Sequence, residues 1–193
     1  MTRVLIVHAS RHGGSAGIAD RIGETMRAAG LDAVVEPAAA LPDPRPFDGC
    51  IVGAGVYMGS WVKEGIAYLD TYSYVLAGKP VWLFSSGPLP GSSRNKAVPT
   101  DPIELAFGPA SGPGSGGRHR IEELTRQIGP REHRVFQGAF DPDLPPEGLA
   151  ERVVRIMPGS KNILPTGDFR DWPVIEAWAR TIANTLAKPA AVG

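Results

Sequence analysis

Arg3-Val-Leu-Ile-Val-His-Ala9, running straight into Ser10-Arg-His-Gly-Gly-Ser15, is the stretch that decides the fold. Its centre, Val4 to Val7, is apolar and rich in β-branched residues with no polar alternation. That is the pattern of a strand buried on both faces, and such strands lie inside parallel sheets. After Ser15 the period changes. Ile18, Ile22 and Met26 recur on one helical face, and Gly30 stands where a glycine closes a helix.

The alternation continues outward. Leu31 to Glu36 reads as a second strand, Phe47 to Gly55 as a third, and Trp61 to Val75 as a helix with Val62, Ile66 and Leu69 on one side. Pro80-Val-Trp-Leu-Phe84 reads as a fourth strand. Between Pro88 and Gly117 the pattern gives way to repeated Gly, Pro and Ser, read as a mobile insertion, residues 88–117, within one domain spanning 1–193. Helical spacing resumes at Ile121, Leu124 and Ile128. His133 to Phe140 then gives a fifth strand, Glu147 to Met157 a short helix and Pro158 to Gly167 a loop. Asp171 caps a last helix carrying Ile175, Trp178, Ile182 and Leu186. Strands alternating with helices require crossovers of one hand. The fold class is therefore α/β: a doubly wound, five-stranded parallel sheet in the order 2-1-3-4-5 with helices on both faces. Such sheets bind ligands beyond the carboxyl ends of their strands at the switch point, so the loops after strands one, three and four converge.

Lys plus Arg and Asp plus Glu number 20 each in 193 residues, a formal net charge of zero. That balance argues against a nucleic-acid binder, against a polybasic membrane docker, and against the acidic surface with which many soluble electron carriers steer toward partners. Cys50 is the only cysteine, so no disulfide, Cys-x-x-Cys pair or thiolate zinc cage forms within the chain, which fits a cytoplasmic location. No apolar run is long enough for a transmembrane segment. The basic residues of the second half, among them Arg118, Arg126, Arg134 and Arg152, are interspersed with Glu122, Glu132 and Glu151. They read as a solvated, salt-laced face, with peripheral contact at the inner face of the membrane or an anionic substrate as the alternatives.

The three convergent loops carry the chemistry. Ser10-Arg-His-Gly-Gly-Ser15 sets two hydroxyls, Gly13, Gly14 and free backbone N–H groups at a helix N-terminus, which is an anion site flanked by Arg11 and His12. The plainer alternative is that Ser15 only caps the helix. In Gly53-Ala-Gly-Val-Tyr-Met-Gly59, the small residues Ala54 and Gly55 let a flat ring lie against the main chain. Val56 and Met58 adjoin it, and Tyr57 or the following Trp61 covers the ring by stacking, unless those aromatics are core. In Ser85-Ser-Gly-Pro-Leu89, the residues Ser86, Gly87, Pro88 and Leu89 form a turn that offers backbone donors to the heteroatom edge of a planar ligand. Together the loops suit a mononucleotide with a buried phosphate and a ring across the sheet edge, and FMN fits best.

Other chemistries fit less well. Gly13-Gly-Ser-Ala-Gly17 matches a nucleophile elbow, but Ser10, Arg11 and His12 separate its serine from the strand. Gly53-x-Gly55-x-x-x-Gly59 resembles a dinucleotide fingerprint, but it stands on the third strand without the acidic residue such a site needs. His8, His12, His119 and His133 show no metal-ligand spacing, and Cys50 reads as a small buried hydrophobe.

On these residues the chain resembles the flavodoxin family, whose phosphate loop in its looser form is hydroxyl-x-x-Gly-x-hydroxyl, matched by Ser10, Gly13 and Ser15. It is more closely similar to the flavodoxin-domain branch that includes the menaquinone-dependent protoporphyrinogen oxidase. The matching segments are Ser10 to Ser15, Gly53 to Gly59, Phe84 to Leu89, Val135-Phe-Gln-Gly-Ala139 and Gly167-Asp-Phe-Arg-Asp-Trp-Pro173. The resemblance implies a flavodoxin-like fold and FMN held at its phosphate by Ser10 to Ser15, with its ring between Gly55 to Met58 and Ser86 to Leu89. It also implies that the flavin ring, and no catalytic side chain, is the reactive group. Electrons would pass between a reduced small-molecule substrate and a quinone, as in heme biosynthesis, or to a redox partner protein. The alternatives are a flavodoxin-type electron carrier and a scaffold that has lost its FMN. His12 and the Gly- and Pro-rich insertion depart from the family pattern. Residues 53–61 and 84–92 contain no Asp or Glu, so no acidic shell opposes an anionic reduced flavin, which favours the quinone or substrate oxidoreductase.

Overall fold

The computed structural model describes residues 1–57, 59–87, 115–140 and 167–187. Each expected apolar run becomes a strand: β1 (Arg3–Ala9), β2 (Asp32–Pro37), β3 (Gly49–Tyr57), β5 (Val81–Ser86) and β6 (Glu132–Phe136). All five are parallel, in the order β2-β1-β3-β5-β6, and a short strand, β4 (Ser60–Trp61), folds back antiparallel on β3. Helices α1 (Gly14–Ala28) and α4 (Trp172–Ala187) cover one face, and α2 (Lys63–Ala77) and α3 (Ser115–Ile128) the other. The doubly wound order is the one the alternation of elements predicts.

Successive side chains of a strand point to opposite faces, so one unbroken apolar run supplies two cores. Val4 and Ile6, with Ile51 and Phe84, pack beneath Ile18, Ile22, Ile175 and Trp178, while Leu5 and Val7, with Val52 and Leu83, pack beneath Tyr68, Leu69, Ile121 and Leu124. Cys50 is wholly buried in the second core, where burial pushes its thiol up to about 12. Thiol reagents at pH 8 are therefore expected to leave the folded protein unmodified and to label one thiol only after denaturation, as mass measurement will show.

His8 points toward the α1 side, and its Nδ1 is buried with no hydrogen-bond partner among the described residues. Burial lowers its pKa from the ordinary 6.5, with partial opposition from Asp20 and Glu36. The unfolded chain then takes up the proton more readily, so stability is expected to fall as pH drops below about 6.5. His8→Gln should flatten that slope in denaturant unfolding compared between pH 7.5 and 5.5.

Several boundaries differ from the sequence-based expectation, each for a long-range reason. β3 continues past Gly55 because Val56 and Tyr57 pair with Trp61 and Ser60, which makes Trp61 a strand residue and starts α2 at Lys63. The fifth strand ends at Phe136, whose carbonyl accepts the Gly87 N–H at 2.9 Å. Ala139–Phe140 (β7) instead pairs antiparallel with Gly167–Asp168 (β8), part of which the local pattern gives as loop. α3 begins at Ser115, so the last residues of the expected insertion over 88–117 are helical. The remainder of that stretch, 88–114, and the helix expected over Glu147 to Met157 lie outside the described residues.

Candidate functional site

The strands β1, β3 and β5 end level. Ala9 pairs with Ala54, Ala54 with Ser85, and Gly55 with Ser86, so their loops leave the sheet side by side at the switch point. In the first loop Gly13 takes a φ of 75°, and α1 starts behind it with neither a side-chain cap nor an acidic residue in its first turn. The Gly13 carbonyl accepts the Gly17 N–H at 2.9 Å. The N–H groups of Gly14, Ser15 and Ala16 have no acceptor within the helix. A Cβ on Gly13 would meet nothing within 4 Å, so this glycine serves its left-handed backbone and borders open space. Ser15 is thus a helical residue and not the cap; it is 2% exposed, with its Oγ 3.3 Å from where a Cβ on Gly55 would stand. Ser10 and His12 are half-buried, Gly14 likewise, and Arg11 is exposed.

In the second loop the hairpin pairing leaves only Met58 and Gly59 as the turn, and Met58 lies outside the described residues. Ala54 is buried and Val56 half-buried. Tyr57 joins this loop to the first. A Cβ on Gly55 would stand 2.9 Å from its ring, the Arg11 guanidinium lies 5.1 Å from its centroid, and the His12 ring meets it edge-on at 6.1 Å. Trp61 turns the other way, 3% exposed, and its Nε1 donates to the Ser85 Oγ at 2.8 Å, which lies 2.9 Å from the His133 Nε2. That chain ties β4, β5 and β6 together beneath the turn. Ser85→Ala leaves the buried indole N–H without this acceptor and is expected to lower stability by about 1–3 kcal/mol in denaturant unfolding.

The third loop contributes Ser86, 7% exposed, and Gly87. Pro88 and Leu89 lie outside the described residues. A Cβ on Gly138 would stand 3.4 Å from the Ser86 Oγ, and one on Gly14 would stand 3.6 Å from the Ala139 carbonyl oxygen, so the start of β7 closes this corner. Arg170 braces it: its guanidinium donates to both oxygens of Asp168 at 2.7 and 2.6 Å, lies 4.4 Å from the Trp172 ring centroid, and sets Nη1 3.4 Å from the Gly14 carbonyl. Those bonds hold the Asp168 carboxyl below the usual carboxylate range. In the sequence, Gly138, Ala139 and Arg170 stand only inside segments that match the family, and no local signal gives them a part in the site.

The corner therefore combines helix-start N–H groups with no acceptor among the described residues, buried hydroxyls, small residues against the main chain and one half-buried aromatic. Residues 10–15, 53–61 and 84–87 contain no carboxylate, and Asp168 is neutralised by Arg170. Such a corner suits a phosphate next to a flat ring. Among the described residues no group of His, Cys, Asp and Glu is arranged to hold a metal, and no helix is long and apolar enough to cross a membrane.

Among known protein families, the sequence model of the flavodoxin domain matches residues 5–143. Among solved structures, oxidised Flavodoxin 2 from Bacillus cereus aligns with 19% identity and a TM-score of 0.58, covering 95% of this chain and 99% of that one. A cysteine-to-serine mutant of flavodoxin from Pseudomonas aeruginosa aligns with 18% identity and a TM-score of 0.55, covering 97% and 100%. The rubredoxin oxygen:oxidoreductase of Desulfovibrio gigas aligns at 14% identity and a TM-score of 0.53 over 96% of this chain but only 36% of its own. At these identities the likeness is one of fold. No curated protein matches in sequence.

Proposed function

Because the chain belongs to the flavodoxin domain family, whose cofactor is FMN, we propose that it is an FMN-dependent oxidoreductase passing electrons between a reduced small molecule and a quinone-type acceptor. The observation that carries this reading is the meeting, at one sheet edge, of an uncapped α1 start behind Gly13 with loops that hold no carboxylate. Open space beside Gly13 and first-turn N–H groups without a side-chain acceptor are what a phosphate requires. Ser10, Ser15 and the backbone N–H groups between them hold the phosphate, and Ala54, Gly55, Tyr57 and Gly87 border the ring. When bound, FMN supplies the electron acceptance; the chain's own residues orient it, exclude water and set the local charge.

Of reduced donors, a porphyrinogen is the one suggested by the segments similar to protoporphyrinogen oxidase. A cytoplasmic protein touching the inner face of the membrane would meet its quinone there. A flavodoxin-type carrier serving a redox partner protein is the second reading, favoured by the near-complete mutual coverage with the flavodoxins it matches in fold. Titration of the flavin-free protein with FMN and riboflavin, followed by flavin fluorescence, tests the cofactor site. FMN is expected to bind more than about a thousandfold more tightly, since the phosphate adds charge-assisted hydrogen bonds from the α1 N–H groups as well as from the two serine hydroxyls. Equal affinities would remove the phosphate assignment. Reoxidation of the dithionite-reduced, FMN-loaded protein by a soluble menaquinone analogue then separates the two readings: fast quinone turnover supports the oxidoreductase, and inertness toward quinone supports the carrier.

A further inference from the structure

Arg11 is the outlying residue of this corner. It is exposed, it pairs with no carboxylate among the described residues, and it lies against the face of Tyr57, 5.1 Å from guanidinium carbon to ring centroid. An arginine with no anion to satisfy ordinarily extends into water, where its hydration is best. Here it folds back over an aromatic ring that itself packs on Gly55, where a Cβ would stand 2.9 Å from the ring. The cation is thus held against Tyr57, the residue that the function reading sets beside the flavin ring. The phosphate side already has neutral donors from Ser10, Ser15 and the α1 N–H groups.

We infer that Arg11 is a specificity-determining residue for the redox state of the bound flavin, favouring the reduced anion over the oxidised ring and so raising the reduction potential. The inference rests on the FMN reading above. Uptake of two electrons and one proton converts the neutral isoalloxazine into a monoanion, so a fixed cation beside it discriminates between the two states by its full charge. A cation directed at the phosphate, whose charge does not change, would favour both states equally. With no Asp or Glu in residues 10–15, 53–61 and 84–87, nothing in these loops cancels the guanidinium. Exposure moderates the effect through solvent screening.

The test uses the full chain loaded with FMN or riboflavin. The affinity for oxidised flavin comes from fluorescence titration, and the ratio of reduced to oxidised affinity comes from the midpoint potential of bound against free flavin under dithionite titration. Arg11→Gln is expected to weaken binding of reduced flavin about tenfold relative to oxidised, a fall of about 30 mV for the two-electron couple. The fall should be equal for FMN and riboflavin, smaller at high salt, and largely reversed in Arg11→Lys, which keeps the charge. An unchanged potential in Arg11→Gln overturns the inference. So does a loss of FMN affinity equal in both redox states with riboflavin unaffected, which would make Arg11 a phosphate ligand. Failure of the unaltered protein to bind FMN overturns the function reading and this inference together, and is seen before any variant is made.

Discussion

Gly53→Ala is expected to destabilise the protein by about 3 kcal/mol or to prevent folding altogether, because the new methyl would overlap the ring of Phe84. Gly53 stands in the middle of β3 in register with Phe84 on β5. The Phe84 ring is wholly buried and hemmed in by Phe136, with centroids 6.1 Å apart, and by Trp178 at 6.4 Å. Phe136 and Trp178 are themselves in edge contact at 5.4 Å, so the ring has no vacant side to move into. Chemical denaturation of the variant against the parent measures the loss. A change below about 1 kcal/mol would mean that the aromatic cluster repacks, contrary to this account. Gly17→Ala is the informative contrast. There the methyl would overlap the end of the Arg170 side chain, which can swing out, so the loss should be smaller and confined to the bracing of α1.

The second large effect is on ligand affinity. Ser10→Ala combined with Ser15→Ala is expected to weaken FMN binding about a hundredfold, the product of two hydroxyl-to-phosphate bonds of about 1.5 kcal/mol each. Riboflavin affinity should not change, because no ring contact is lost. Alanine replaces serine without adding volume at the buried Ser15, so the unfolding midpoint should stay close to that of the parent. Titration of both flavins into both proteins decides the matter. Parallel losses of FMN and riboflavin would move these hydroxyls from the phosphate to the ring, and no loss would detach the first loop from the ligand.

What was legible in the sequence was what local patterning encodes. The unbroken run Val4 to Val7 marked a strand covered on both faces, and the switch to Ile18, Ile22 and Met26 marked the helix, so the parallel order followed from handedness alone. The convergence of the loops at Gly13, Gly55 and Ser86 followed from that order. What was not legible depends on partners distant in the chain. Trp61 reads locally as a helix-start aromatic, yet pairing of Val56 with Trp61 turns its indole inward to Ser85. Ala139 falls within the run that reads as one continuous fifth strand and Gly167 within a stretch that reads as loop, and the pairing of Ala139 with Asp168 and of Phe140 with Gly167 depends on two segments far apart in the chain. The nearest clue to that corner was Gly17 on the face of α1, a small residue where Arg170 needs space. A lone glycine in a helix does not name its neighbour.

The sheet order also determines how the molecule behaves among copies of itself. Among the described residues β2 and β6 are the outermost strands of the main sheet, and the outer row of N–H and C=O groups on each has no strand partner there. Neither row is inviting. β2 carries Asp32 and Glu36 and ends in Pro37, which has no N–H to donate, and β6 carries Glu132 and Arg134. A strand docking on either edge would have to desolvate those charges, so a fold with a flat hydrogen-bonding template at both ends stays resistant to edge-to-edge aggregation at high concentration.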